Sequence, residues 1–263
     1  MSLVFAAVTP HPPLLISTIG KEATQQLNAT KEAFASLEQD LYVSKPQIII
    51  VISPHEGLYE NAFVVNAHPQ FIGSYKNFGD VTTIDNWIGA PDFAAKIGHA
   101  SNVSGFPLRL VSEENLSHGA SVPLHFLLSH LKEVKILPLG FSNLSPKEHL
   151  DCGELLKEVI FSTDKRVAVI ASGDLSHCLS PNAPGGQKEA GKKFDESLIQ
   201  MLETRNTIGI TQMDKLLIDE AKECGYRSLL ILLGILKNID YTFKRYSYEH
   251  PFGIGYLTGN FIF

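Results

Sequence analysis

The stretch Gln47–Tyr59, QIIIVISPHEGLY, decides the fold. Its first half, Gln47–Ile52, is a β-branched run with no polar alternation, the pattern of a strand covered on both faces. Its second half turns to Ser, Pro, His, Glu and Gly, the punctuation of a loop leaving a strand. The same pattern occurs twice more. Leu3–Val8 is apolar and runs into TPHPPLL (Thr9–Leu15), and Val167–Ala171 runs into SGDLSH (Ser172–His177). Three buried strands are therefore each followed by a loop that carries a histidine: His11, His55 and His177.

Working outward, the spacing predicts helices over Lys21–Tyr42, Phe93–Ala100, Val122–Leu131, Pro146–Phe161, Glu189–Thr204 and Thr211–Leu236, the last broken near Gly225. Further strands are expected at Phe63–Asn66, Val81–Ile84, Leu108–Val111 and Val134–Leu139. The aromatic tail, Tyr241–Tyr248 and Gly255–Phe263, predicts a closing hairpin or an edge pair. This order implies an α/β fold of three layers, with a central mostly parallel or mixed sheet and helices on both faces. No repeat, low-complexity tract or composition shift marks a linker, so one domain is expected over residues 1–263. The irregular stretches Asn66–Gly105 and Asn182–Gly191 are expected to shape a pocket.

Composition narrows the function classes. The chain has 263 residues, 44% hydrophobic and 19% charged, which is globular rather than disordered composition. Lys+Arg 22 against Asp+Glu 28 leaves a net charge of −6, which argues against a nucleic-acid binder. Three widely spaced cysteines, Cys152, Cys178 and Cys224, exclude a disulfide framework and a Cys-rich zinc site. The apolar start lacks a basic segment and is broken by Pro10, Pro12 and Pro13, so it reads as a first strand rather than a signal peptide. The longest apolar run, Leu229–Leu236, is too short to span a bilayer. A cytoplasmic protein without nucleic-acid or membrane partners is expected. The aromatic tail either closes the sheet or pairs between protomers of a homo-oligomer.

Ligands in open α/β sheets bind beyond the carboxyl ends of the strands, where His11, His55 and His177 all lie. Read singly, each is an ordinary loop imidazole; three in equivalent places point to a shared site. Two His and one carboxylate on one face of a metal ion leave positions open for substrate and O₂. The carboxylates available are Asp174, Glu56, Asp219, Glu220 and Glu223. Glu223 stands at the entry of a very apolar helix, where a carboxylate is costly unless paired or metal-bound. Cys224 beside it offers a soft ligand. Asp174, three residues before His177, is placed to orient it. His118 lies in SHGASVPLHF, ahead of a helix expected to start near Ser121 with Ser121 as its N-cap. No G-x-S-x-G elbow supports a serine hydrolase, and no Gly-rich phosphate loop is present.

Taken in order, TPHPPLL, SPHEGLY, SHGASVPL, SGDLSH and ECGYRSLLILLG resemble the class III extradiol ring-cleavage dioxygenases, specifically the superfamily formed by their catalytic subunits. The five segments run from residue 9 to about residue 234. The resemblance implies an α/β protein that holds Fe(II) through His11, His55 and Glu223, with Cys224 as the alternative third ligand. It implies His177 as the acid/base residue and His118 as the contact to substrate or oxygen. The implied partners are a small aromatic diol and O₂. The implied reaction opens the catechol ring beside its two hydroxyls, with His177 helping to remove a proton. The Memo-like branch of the same superfamily has segments resembling Asp174–His177 and Cys224–Gly225. A Memo-like metal-binding protein without ring cleavage is therefore one alternative, and a Zn-dependent hydrolase on the same His set is another.

Overall fold

Ile48, Ile50 and Ile52 pack into one hydrophobic core and Ile49 and Val51 into a second, so the strand they form is buried on both faces, as its unbroken apolar run requires. The computed structural model describes residues 2–131 and 133–263. The chain order begins β1 (Leu3–Thr9), α1 (Ser17–Gly20), α2 (Asn28–Ser44), β2 (Ile48–Ser53), β3 (Phe63–Asn66), β4 (Gln70–Ser74) and β5 (Ile84–Gly89). It continues with α3 (Pro91–Ser104), β6 (Leu108–Val111), β7 (Asn115–Leu116), α4 (His118–Leu127), β8 (Lys135–Gly140), α5 (Pro146–Phe161) and β9 (Val167–Ser172). Helices α6 (Glu189–Glu203), α7 (Thr207–Thr211), α8 (Lys215–Ala221) and α9 (Tyr226–Ile235) lead to the closing hairpin β10 (Thr242–Glu249) and β11 (Tyr256–Ile262).

The sheet order is β10-β11-β1-β9-β2-β8-β5-β4-β7, with β3 bridging β8 and β6. Its centre, β1-β9-β2-β8, is parallel; the strands of the hairpin are antiparallel to each other and β11 to β1, and β4 is antiparallel to β5 and parallel to β7. The core on one face holds side chains of α3, α5, α6 and α9; the core on the other holds those of α2 and α4. The expected α/β class, with helices on both faces of a mixed sheet, is what forms. Helix α5 shows the local logic: Ser145 and Glu148 form a reciprocal capping box and Pro146 occupies the first turn, where its missing N–H costs nothing.

Several boundaries differ from the sequence expectation. Lys21–Leu27 winds as 3₁₀ turns and the α-helix starts only at Asn28. Val81–Thr83 is loop, because Asp80 Oδ1 accepts from the N–H groups of Thr82 and Thr83 and competes with a ladder; the strand begins at Ile84. Helix α4 begins at His118 after Ser117, not near Ser121. The helix expected over Thr211–Leu236 with one break is interrupted twice, over 212–214, where Asp214 caps α8, and over 222–225, with Lys222 in the left-handed region at φ 52°.

Candidate functional site

The strand order brings the site together. Strand β9 lies between β1 and β2, with Thr9 paired to Ser172 and Ile52 to Ala171. His11, Asp174 and His55 each stand two residues beyond the last residue of β1, β9 and β2. They therefore emerge side by side at the carboxyl end of the sheet. The first turn of α4 closes over them and contributes His118. Gly119 permits this approach, since a Cβ there would fall 2.4 Å from Ser53 Oγ and 2.9 Å from His55 Cδ2.

A proline inside α4 helps to orient the first histidine. Pro123 has no N–H to give the Gly119 carbonyl, and Ser172 Oγ donates to that carbonyl instead, at 2.5 Å. With its proton so committed, Ser172 Oγ accepts from His11 Nδ1–H at 3.0 Å. The lone pair of His11 then sits on Nε2, turned toward the other site residues; orientation of a ligand imidazole through its second nitrogen is the usual arrangement at metal centres. His11 Nε2 lies 3.7 Å from Cys224 Sγ and 3.9 Å from Asp174 Oδ2.

Two donor groups share His11. His11, His55 and His118 form one, and His11, Asp174 and Cys224 form the other; within each, the ligand atoms lie within 4.8 Å of one another. The His11 and His55 ring centres are 5.1 Å apart, and His55 stacks on His118 at 4.4 Å. Burial holds His11 well below the usual imidazole range, with the charges of His55 and His177 acting the same way. Burial, then His11 and His55, takes His118 down to about 3. Burial also lowers His55, against the pull of Asp174. All three are thus neutral imidazoles at neutral pH, the form that binds a metal. Burial pushes Asp174 up to about 6, although His11 N–H donates to its Oδ1 at 2.9 Å. Burial, Asp174 and Glu223 push the Cys224 thiol up. Neutral imidazoles beside a carboxyl and a thiol that burial resists ionising form a donor set that suits a divalent cation, whose charge would offset that resistance.

Glu223 points elsewhere. Its Oε2 accepts from Tyr226 N–H at 2.6 Å, so the carboxylate caps α9. Burial pushes it up to about 7, against the helix N–H groups and Arg227. It belongs to neither donor group among the described residues. The neighbouring Cys224 is held toward His11 because Cys224 N–H and Gly225 N–H both donate to the Asp174 carbonyl, at 3.2 and 3.0 Å. Asp174 N–H donates back to Cys224 Sγ at 3.3 Å. His177 lies near enough for its charge to act on His11, His55 and Asp174. Its Nδ1 is buried without a hydrogen-bond partner among the described residues. Asp219 and Glu220 are exposed on α8 and belong to neither donor group among the described residues.

Sequence reasoning missed Phe78. Its ring meets His118 edge-on at 5.1 Å and is 39% exposed, so it forms part of the mouth. Thr18 Oγ1 donates to Asp80 Oδ2 at 2.5 Å and ties the Phe78 loop to the segment that follows His11. No pattern within the stretch 66–105 announces this contact.

The family described as the catalytic LigB subunit of aromatic ring-opening dioxygenase matches residues 5–259. The chain is 29% identical over 265 residues to Protein CA_C1420 of Clostridium acetobutylicum, covering 97% of this chain and 57% of that protein. It is 28% identical over 178 residues to a 2,3-dihydroxyphenylpropionate/2,3-dihydroxicinnamic acid 1,2-dioxygenase of Photorhabdus laumondii, covering 64% of this chain and 54% of that enzyme. The chain thus spans little more than half the length of these relatives. The crystal structure of the uncharacterized protein JW3007 from Escherichia coli K12 superposes with a TM-score of 0.69, covering 98% of this chain and 99% of that one. At 16% identity that likeness is one of fold.

Proposed function

From the premise that the chain belongs to the family of catalytic LigB subunits of aromatic ring-opening dioxygenases, we propose that it is a non-haem Fe(II)-dependent extradiol dioxygenase acting on a catecholic substrate with O₂. The observation that carries this reading is the group His11, His55 and His118 at the carboxyl end of the sheet, with His11 Nε2 turned inward by Ser172. His11 and His55 hold the metal. Bound iron supplies the site where catechol and oxygen meet and exchange electrons.

The chain's own residues do the rest. His118, neutral and packed on His55, faces the substrate side together with Phe78, which offers an aromatic edge to the catechol ring. His177, whose Nδ1 has no hydrogen-bond partner among the described residues, takes the proton that the second hydroxyl gives up. Asp174 holds the His11 backbone in place through its Oδ1. The Photorhabdus relative is named for dihydroxyphenylpropionate; what we extend to this chain is the catechol.

The Cys224 sulfur beside His11 favours a second reading, a Memo-like metal-binding protein with Cys224 as third ligand and no ring cleavage. Protein reconstituted anaerobically with Fe(II) and given a panel of catechols in air separates the two. Oxygen uptake with formation of a yellow ring-fission product supports the dioxygenase. Full iron occupancy without turnover across the panel favours the Memo-like reading. Elemental analysis of the native protein, with iron loss controlled, tests the zinc hydrolase.

A further inference from the structure

Beside His55 a cavity of about 290 Å³ opens between the loop after β2 and the segment leading into α4. Its volume is that of a substituent of several heavy atoms rather than of a whole drug-sized ligand. Its wall includes Glu56, Tyr59, Asn66, Glu113 and Ser117. Glu56 is held in place by one oxygen, Oε1, which accepts from both the N–H and the hydroxyl of Ser117. Its other oxygen, Oε2, has no hydrogen-bond partner among the described residues. Asn66 is fully engaged: its amide nitrogen donates to the Glu113 carbonyl at 2.8 Å, and its Oδ1 accepts from the N–H groups of Glu113 and His68. That clamp fixes Glu113 at the rim. No Lys or Arg lines the cavity among the described residues. Arg109 reaches only the ring of Tyr59, with its guanidinium carbon 5.2 Å from the ring centre.

A negatively charged substituent would meet two carboxyl groups here and find no cation to pair with. An ammonium group would find the free oxygen of Glu56 and the carboxylate of Glu113, both of which attract a cation. We propose that this cavity is a subsite for a protonated amine carried on a short chain by the aromatic substrate. The proposal rests on the ring-cleaving reading in one respect, that the ring of the substrate sits at His11 and His55 beside the cavity mouth.

Anaerobic calorimetric titration of the iron-loaded protein tests it with two catechols of equal chain length, one bearing an aminoethyl and the other a carboxyethyl group. With oxygen absent, binding is read without turnover. The aminoethyl catechol is expected to bind at least about tenfold more tightly, a difference typical of gaining charge-assisted bonds against meeting like charge. Glu113→Gln, at an exposed position, and Glu56→Gln are each expected to weaken the amine about fivefold or more, and Glu113→Gln to leave unsubstituted catechol within about twofold. Equal affinities, tighter binding of the carboxylate, binding of neither catechol, or an amine affinity untouched by both variants would overturn the proposal. An amine preference in a protein that turns over no catechol in air would leave the subsite standing and remove the ring-cleaving reading.

Discussion

Replacing Asp195 by Asn removes a buried carboxyl group with almost no change of size. Asp195 sits on α6 with no exposed surface; its Oδ1 accepts from Ser176 N–H at 2.8 Å and its Oδ2 from the Tyr248 hydroxyl at 2.7 Å. It thereby pins the loop that carries Asp174 and His177 to the closing hairpin. Burial pushes its carboxyl from 3.8 up to about 7, against the pull of those two hydrogen bonds. A carboxyl whose folded value is raised binds its proton more tightly in the folded state. Its contribution to stability is fully present below the unfolded value near pH 4 and is lost as pH rises through about 7. A shift of about 3 units corresponds to about 4 kcal/mol in all, of which about 2–3 kcal/mol falls between pH 5 and pH 8. Asn cannot titrate, so this part of the pH dependence disappears in the variant. Urea denaturation of both proteins at pH 5 and pH 8 reads it directly. The stability of the parent relative to Asp195→Asn is expected to fall by about 2–3 kcal/mol between the two pH values. Parallel pH profiles for the two proteins would refute the reasoning.

On the Memo-like reading Cys224→Ser is expected to weaken metal binding at least about tenfold by metal-competition titration. On either reading Glu223→Gln is expected to keep the metal and to lower stability by about 1 kcal/mol through its weaker cap on α9; loss of metal in Glu223→Gln would return Glu223 to the metal. His177→Ala retains the metal but slows ring cleavage by about 10² to 10⁴ under saturating substrate, the range for loss of a general base. At Gly173 an added Cβ would fall 2.1 Å from the Gly225 Cα. The Gly225 Cα belongs to backbone that cannot swing aside as a flexible side chain would, so Gly173→Ala is expected to cost about 1–3 kcal/mol in thermal or urea unfolding. A variant as stable as the parent would show that the two loops are not held in contact.

Much of this architecture is legible in the chain. The β-branched runs at Gln47–Ile52 and Val167–Ala171 become adjacent buried strands, and each passes into a site loop at the Ser that ends it. Runs of that kind carry their burial on both faces in their composition. What they do not carry is strand order. That β9 lies between β1 and β2, and so aligns His11, Asp174 and His55, is a property of tertiary packing. The start of α4 is misread in sequence for a local reason: Ser117 and Ser121 both suit an N-cap, and Pro123, tolerated in a first turn, favours the later start. In α4 it lies inside the helix instead, and Ser172 takes the freed Gly119 carbonyl. The burial of Glu223 is readable as a cost, but sequence alone does not say whether a metal or a helix N-terminus meets it. Here the Tyr226 N–H does. Phe78, Ser172 and Glu56 act through neighbours distant in sequence, Ser172 and Glu56 through the first turn of α4, and such contacts leave no periodic trace.

The central claim is that a metal sits where His11 and His55 converge, in a site built to open an aromatic ring. Anomalous diffraction from crystals of the anaerobically iron-loaded protein, collected at the iron edge, tests it most directly. The account predicts a single strong peak within bonding distance of His11 Nε2 and of a His55 ring nitrogen, with the Glu223 carboxylate still on Tyr226. A peak bonded to Glu223, or iron bound in full amount away from His11 and His55, would contradict it.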